Sequence, residues 1–191
     1  MLRDTRNIDE FKAIAMGQIH RNGLDKLLEY LDKTDFFCAP ASTMFHGNYA
    51  GGLVDHSLNV YHTLRADPRA AEYNDETVAI VALFHDLCKV NTYETWFRNV
   101  KNEDTGRWEQ KECYRVNDKL PFGHGEKSVW LVTTFMRLNI EEAMAIRWHM
   151  GAFTDGVDTR ALNEAFERYP LAQLLHQADD WASKRLDQKV G

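Results

Sequence analysis

The segment that most constrains the fold is ETVAIVALFHDLCKV, residues 76–90, in which most side chains are apolar. A helix that is apolar on several faces is buried, so we expect a central helix over residues 75–90. His85 and Asp86 lie inside this segment, and a buried carboxylate without a partner costs on the order of several kcal/mol. The two side chains must therefore be paired or bind a metal. Lys89, about one turn further on, is expected to overhang the same face.

The rest of the chain shows helical periodicity with a single interruption. Only four prolines and eleven glycines occur in 191 residues, and no repeat, linker or low-complexity run divides them. Residues 92–117 contain two stretches rich in Tyr, Trp, Thr and Val on either side of Asp104-Thr105-Gly106, which is typical of a β-hairpin. The sequence thus predicts one all-α domain, residues 1–191, with an inserted hairpin. The predicted helices cover residues 9–20, 24–32, 53–66, 75–90, 125–138, 140–150, 159–169 and 171–186.

The composition of the chain favours a folded globular protein and disfavours some kinds of partner. Hydrophobic residues make up 44% and charged residues 27% of the chain, as in folded globular proteins. A net charge of −6 disfavours long duplex nucleic acid as a partner, because Lys and Arg must neutralise phosphates there, but it is compatible with single-stranded ends. Three scattered cysteines without a CxxC pair favour a reducing cytoplasm. No run of about 18 apolar residues predicts a membrane span.

Four further histidine or aspartate side chains are placed where they can meet the pair at positions 85 and 86. Each lies near a helix start, near a helix end, or on a helix with an apolar flank. They are His56, His124, His149 and Asp179. Helices from distant parts of the chain would thus each bring one metal-ligating side chain toward the centre of the domain.

Five motifs in order carry a resemblance to a known family: GGLVDHSLNV, LFHDLCKV, FGHGEKSV, RWHMG and LLHQADDWASK. Their order of His, His-Asp, His, His and Asp resembles that of the two-metal members of the HD-domain superfamily of metal-dependent phosphohydrolases. The chain looks especially similar to the HD domain of a bacterial 3′–5′ exoribonuclease and to small stand-alone HD hydrolases of bacteria and phages. The resemblance covers about residues 36–186 and implies an HD-domain helical bundle, with residues 1–35 as an N-terminal helical extension.

Carried over residue by residue, the resemblance implies a complete ligand set. The primary metal ligands are His56, His85, Asp86 and Asp179, and the ligands of a second metal are His124 and His149. Lys89 matches the family lysine that faces the substrate phosphate, and His46 is a candidate for substrate contact from an irregular segment. Asp180 competes with Asp179 for the last ligand position, and the family spacing HxxD favours Asp179. The glycine common in the family motif HDxGK is Cys88 here.

The resemblance implies hydrolysis of a nucleotide or another small phosphate ester by metal-activated hydroxide, with Asp86 and Lys89 in the catalytic machinery. Mixed imidazole and carboxylate ligands suit one or two divalent ions among Mn, Fe, Co, Ni, Zn and Mg. Two alternatives stay open. HD-type diiron oxygenases use the same order of ligands, and a non-catalytic HD module would bind a nucleotide as a sensor. A complete ligand set argues against the sensor.

Side chains on the predicted hairpin have two interpretations. Trp96 and Trp108 either lie on the surface or cover a bound substrate, and Arg98 and Arg115 either are solvated or reach a phosphate or a base. For the two arginines we favour solvated surface side chains.

Overall fold

The computed structural model describes residues 6–154 and 156–187. These residues form eight α-helices and one antiparallel two-stranded hairpin, so the prediction of a mostly helical fold with an inserted hairpin is confirmed. The elements in chain order are α1 (Arg6–Gln18), α2 (Leu24–Lys33), α3 (Gly52–Ala66), α4 (Asp75–Phe84), β1 (Tyr93–Lys101), β2 (Trp108–Val116), α5 (His124–Phe135), α6 (Ile140–Trp148), α7 (Thr159–Arg168) and α8 (Pro170–Trp181). Single turns of 3-10 helix lie at Pro68–Glu72, Leu87–Lys89 and Gly151–Phe153, and a π-helical turn follows α8 at Ala182–Leu186.

The central helix of the fold is α4. The side chain of Asn74 accepts a hydrogen bond from the backbone N–H of Thr77 and so caps the start of this helix. Every residue from Thr77 to Phe84 is buried, and α4 contacts α1, α3 and α6. The core therefore surrounds α4, as the apolar sequence of this segment predicts. Among the described residues, no helix is long and apolar enough to cross a membrane.

The predicted extent of this central helix is wrong at its C-terminal end. The α-helix ends at Phe84, and Asp86 has a φ of −101° and a ψ of 21°, outside the helical range. The chain then makes the 3-10 turn Leu87–Lys89. His85 and Asp86 thus lie at a helix end rather than in the middle of a helix. Because neighbouring side chains on a continuous helix point about 100° apart, this break allows both to face one centre.

A buried ion pair ties the starts of α4 and α6 together. The Arg21 guanidinium, between α1 and α2, donates to the fully buried carboxylate of Glu142 at 2.6 and 2.9 Å and to Glu76 at 3.0 Å. Glu142 also accepts from the Thr77 hydroxyl at 2.8 Å and completes a capping box with Asn139. Since α4 and α6 start at the same network and contain 10 and 9 residues, their C-terminal ends also lie side by side.

The hairpin forms where the alternating sequence predicts it. Tyr93 lies opposite Val116 at its base, and Lys101 lies opposite Trp108 at its far end. In the connecting loop, the Asn102 side chain accepts from the backbone N–H groups of Asp104 and Thr105, each at 3.0 Å. The base of the hairpin is joined directly to the turn that carries Lys89.

A close approach of α5 to α6 depends on Gly125. A Cβ atom at this position would lie 2.1 Å from the carbonyl oxygen of Arg147. We expect Gly125→Ala to lower the free energy of unfolding by about 1–3 kcal/mol through overpacking and to move His124 away from His149. Urea unfolding of both proteins measures the change. Gly17→Ala is the control, because nothing lies within 4 Å of its added Cβ; equal stability of the two variants would contradict this account.

Candidate metal centre

Two histidines of the site lie at the C-terminal ends of neighbouring helices. His85 follows α4, and its Nδ1 lies 2.8 Å from the carbonyl oxygen of Ala82. His149 follows α6, and its Nδ1 lies 2.7 Å from the carbonyl oxygen of Ile146. Carbonyl groups at a helix end lack an intrahelical partner and can only accept a hydrogen bond. Each Nδ1 therefore carries the proton, and each Nε2 presents a lone pair.

A third histidine, on α3, is oriented by a carboxylate. His56 is fully buried, and its Nδ1 lies 2.8 Å from Oδ2 of Asp187. The Asn59 amide donates to the other carboxylate oxygen at 2.8 Å and so fixes its position. A carboxylate that accepts from Nδ1–H is a common outer partner of metal-ligating histidines, because it turns Nε2 toward the ion.

These Nε2 atoms face one another in the interior. The Nε2 atoms of His56 and His85 are 3.1 Å apart, and the rings of His85 and His149 have centroids 4.9 Å apart. Nε2 of His149 is buried and has no hydrogen-bond partner among the described residues. Converging lone pairs repel one another, and buried polar atoms are normally paired. The arrangement therefore calls for positive charge between the rings, supplied by a proton or by a metal ion.

Asp86 connects two groups of nitrogen atoms. Its Oδ2 lies 3.5 Å from Nε2 of His56 and 3.6 Å from Nε2 of His85. Its Oδ1 lies 2.8 Å from Nε2 of His124 and 3.4 Å from Nε2 of His149. Within each group of three residues the ligand atoms lie within 4.8 Å of one another. Each group has the size to hold one ion, and the Asp86 carboxylate is placed to bridge the two positions.

Of the two neighbouring aspartates on α8, the structure places Asp179 at this centre. Its Oδ1 lies 3.2 Å from Nε2 of His56, and the Ser183 hydroxyl donates to it at 3.2 Å. Asp180 instead pairs with Lys184 at 2.7 Å, and both of their side chains are exposed. The six predicted ligands thus come together, and Asp180 lies beside them.

The centre opens into a cavity of about 680 Å³. Lys89 lines this cavity with a largely buried side chain, and its ammonium lies 2.5 Å from Oδ2 of Asp86. His46 also lines it: its ring lies 5.2 Å from the ring of His56, and its Nε2 lies 3.4 Å from the Ser183 hydroxyl. Both predicted substrate-contacting residues therefore face the cavity beside the ligand cluster.

Much of the cavity wall is apolar or aromatic. Phe45 comes from the irregular segment before α3, and Tyr93 and Val116 come from the base of the hairpin. Met150 and Phe153 form part of the wall after α6. A cavity with a polar floor and apolar walls suits a small ligand that has both a charged group and a flat or apolar group.

Burial and close charges shift the pKa values of these groups in opposite directions. Burial lowers the pKa of His85 to about 3, so its imidazole is neutral. Burial opposes ionisation of Asp86, but Lys89 and the adjacent imidazoles hold the pKa of the Asp86 carboxyl well below its usual range. Burial also opposes protonation of His56, yet the carboxylates of Asp179 and Asp187 outweigh it and raise the pKa of His56 to about 9. In the metal-free protein, a proton on His56 thus supplies part of the positive charge that the centre needs.

Metal binding should release that proton. The pKa of His56 near 9 means that at neutral pH its imidazole must lose a proton before Nε2 can bind an ion. We expect metal affinity to rise by about tenfold per pH unit at neutral pH and to level off above about pH 9. Calorimetric titration in two buffers of different ionisation enthalpy counts the protons released. Asp187→Asn should reduce this number, and no proton release by the unmodified protein would show that His56 is already neutral.

Sequence reasoning missed several residues that support the centre. Asp187 follows the π-helical turn, and nothing in the sequence RLDQK marks it as a partner of His56. Cys88 lies with its Sγ 3.4 Å from Nε2 of His124, and its backbone N–H donates to the Ser128 hydroxyl at 3.0 Å. No regular spacing in the sequence indicates which serine or cysteine will make such a buried contact.

Two other histidines lie outside the cluster of candidate ligands. His62 points away from the centre and pairs with Glu10 at 2.8 Å on the surface. The Nδ1 of His176 lies 2.6 Å from the backbone carbonyl of His149, so it supports the end of α6.

Compared with models of known protein families, with curated proteins and with solved structures, the chain shows no significant match.

Proposed function

We propose that this protein is a metal-dependent phosphohydrolase that acts on a nucleotide or another small phosphate ester. The observation that carries the proposal is the position of Lys89, a buried cation beside the His/Asp cluster and on the wall of a cavity of about 680 Å³. A cavity of this volume is in the range of small-molecule sites. The order of motifs, which resembles that of HD-domain phosphohydrolases, supports the same function.

The residues fit one or two divalent ions. Nε2 of His149 is buried and has no hydrogen-bond partner within residues 6–154 and 156–187, and the Nε2 atoms of His56 and His85 face each other at 3.1 Å. Three carboxylates contact the His56 imidazole of this cluster: those of Asp86, Asp179 and Asp187. One ion would be held by His56, His85 and Asp86, with Asp179 beside His56, and the other by Asp86, His124 and His149. Nitrogen and carboxylate oxygen donors suit Mn, Fe, Co, Ni and Zn.

When bound, such an ion supplies a Lewis acid that lowers the pKa of a water molecule toward about 7. The protein's own residues position the ester. The Lys89 ammonium can neutralise the non-bridging oxygens of a phosphate, where negative charge increases in the transition state. His46 can hydrogen-bond an oxygen of the substrate, and Phe45 and Phe153 offer flat apolar surfaces to a base or another aromatic group.

The test is a metal analysis of the purified protein followed by hydrolysis assays. We expect release of phosphate or p-nitrophenol from nucleoside monophosphates or from mono- and bis-p-nitrophenyl phosphate. Activity should disappear with EDTA and return with Mn, Co, Ni or Mg. No hydrolysis with any of these ions, together with oxygen uptake in the iron-loaded protein, would refute the proposal and favour an oxygenase.

The adjacent aspartates of α8 provide a matched pair of variants. We expect Asp179→Asn to lose bound metal and at least about 10²-fold of activity, since it removes a carboxylate 3.2 Å from Nε2 of His56. Asp180→Asn should keep the metal and lose much less activity, because the Asp180 carboxylate pairs with Lys184 on the cavity wall and not with a histidine of the cluster. Metal content and phosphate release measure both. Equal losses in the two variants would contradict the assignment of Asp179.

A further inference from the structure

The base of the hairpin reaches into the cavity of the metal centre. Tyr93 and Val116, which lie opposite each other on β1 and β2, both line this cavity. Trp96 and Arg98, further along β1, line a separate groove instead. The hairpin therefore brings one polar side-chain group, the phenol of Tyr93, to the wall of the cavity.

A short turn holds Tyr93 in place beside Lys89. The backbone N–H of Thr92 donates to the carbonyl oxygen of Lys89 at 3.2 Å. The Thr92 hydroxyl donates to the Cys88 carbonyl at 2.8 Å, and the buried Lys127 ammonium donates to this hydroxyl at 3.1 Å. The phenol of Tyr93 and the ammonium of Lys89 thus reach the cavity from the two ends of one hydrogen-bonded turn.

The hydroxyl of Tyr93 is available to a ligand. It has no hydrogen-bond partner among the described residues, although the side chain is half-buried. The hydroxyls of Tyr49 and Tyr73, by contrast, each donate to a carboxylate, as is usual for a phenol removed from water. Burial raises the pKa of the Tyr93 phenol, and the Lys89 ammonium offsets only part of this effect. At neutral pH the phenol is therefore protonated and can donate.

Tyr93 lies at the boundary between the charged floor of the cavity and its apolar wall. The Lys89 ammonium and the Asp86 carboxylate are close enough to shift the pKa of its phenol, and Val116 on the opposite strand belongs to the wall. A phosphate ester that turns its phosphate toward Lys89 and its organic group toward the apolar wall has its bridging oxygen at this boundary. The phenol is thus placed on the side of the oxygen that must leave.

We propose that Tyr93 is the general acid that donates its phenolic proton to the oxygen of the leaving alcohol. The inference rests on the proposed phosphohydrolase function. When the P–O bond to the alcohol breaks, its electron pair stays on the alcohol oxygen, and the proton of Tyr93 passes to that oxygen. The phenolate forms beside the Lys89 ammonium, which stabilises it, and then takes a proton from the attacking water. Ester and water thus give phosphate and alcohol.

A series of ring-substituted phenyl phosphates tests this role, as mono- or bis-esters to match the p-nitrophenyl ester that the unmodified protein hydrolyses. Tyr93→Phe keeps the ring and removes the donor. We expect kcat for the unsubstituted phenyl ester to fall about 10²-fold, since its leaving oxygen needs a proton. The rate for the p-nitrophenyl ester should fall far less, because p-nitrophenolate leaves as a stable anion. KM should change little, because the proton moves only as the bond breaks.

Tyr114→Phe is the matched control. Tyr114 is a half-buried tyrosine of the same hairpin, but it lines the separate groove rather than the cavity. This variant should hydrolyse both esters at the rates of the unmodified protein, and metal content and melting temperature are measured for both variants. An equal loss for all esters in Tyr93→Phe would mean that Tyr93 only shapes the cavity, and no loss for the phenyl ester would mean that it takes no part. Either result would overturn the assignment.

The same series distinguishes a failure of this inference from a failure of the proposed function. If the unmodified protein hydrolyses none of the esters with any of the metals, the proposed function is wrong, and the role of Tyr93 falls with it. If the esters are hydrolysed but their rates depend on the leaving group equally in Tyr93→Phe and in the unmodified protein, only the role of Tyr93 is wrong.

Discussion

Asp86→Asn should abolish hydrolysis and remove bound metal. One oxygen of Asp86 faces His56 and His85 and the other faces His124 and His149, so the substitution removes a carboxylate oxygen from both groups. We expect kcat to fall by more than about 10³-fold, beyond the 10²–10³ typical of removing one charge-stabilising donor. Metal analysis should find fewer ions per chain in the variant than in the unmodified protein.

The same substitution has a consequence for stability that serves as its control. The Lys89 ammonium lies 2.5 Å from Oδ2 of Asp86 in a largely buried position. Removing one partner of a buried ion pair typically costs about 3–5 kcal/mol. Asp86→Asn is therefore compared with metal-free unmodified protein by urea unfolding, and Asp86→Glu is included because it keeps the charge. A folded Asp86→Asn protein with full metal content and a normal rate would exclude Asp86 from the centre.

The sequence predicted which helices and strands exist around the site, but it predicted the end of the central helix less well. The hairpin followed from alternating Tyr, Trp, Thr and Val around a turn sequence, and both strands lie within the predicted residues 92–117. The helix containing His85 was predicted to be too long because no Gly or Pro marks its end and apolar residues continue through Val90. At the observed end, Nδ1 of His85 lies 2.8 Å from the Ala82 carbonyl oxygen, a side-chain contact that the local sequence pattern does not reveal.

The order of motifs was enough to predict the candidate ligands, but not the residues that contact and orient them. Asp187 is far from His56 in sequence, and its role depends on the π-helical turn that directs the chain back across α3. The position of Asp86 between two pairs of histidines was equally hidden, because it depends on α4 and α6 ending side by side, with a shared network around Glu142 at their starts. Packing between distant parts of the chain determines both positions, and the periodicity of the sequence does not report such packing.

Lys89→Met should keep the metal and slow hydrolysis. Lysine at neutral pH is a cation that only donates, so it is not expected to ligate an ion, and Met preserves much of its buried volume. Its ammonium faces the cavity beside Asp86, where it can neutralise phosphate oxygens. We expect kcat to fall by roughly 10²–10³, the scale of losing one charge-stabilising donor. Phosphate release and metal content are measured on the same preparation.

A purely supporting role for Lys89 makes a different prediction. If the ammonium only holds the Asp86 carboxylate in place, Lys89→Met should lower metal affinity, and added metal should restore the rate. If it acts on the substrate, saturating metal leaves the rate low. Unfolding stability should also differ between the metal-free and the metal-bound variant. Without metal, loss of Lys89 removes the closest cation from the Asp86 carboxylate, which is 3% exposed. The variant should therefore unfold at lower urea than the unmodified protein in EDTA, and this difference should shrink once bound metal supplies positive charge to the same carboxylate. A normal rate in the metal-loaded variant would remove Lys89 from the chemistry and leave it as a partner of Asp86 alone.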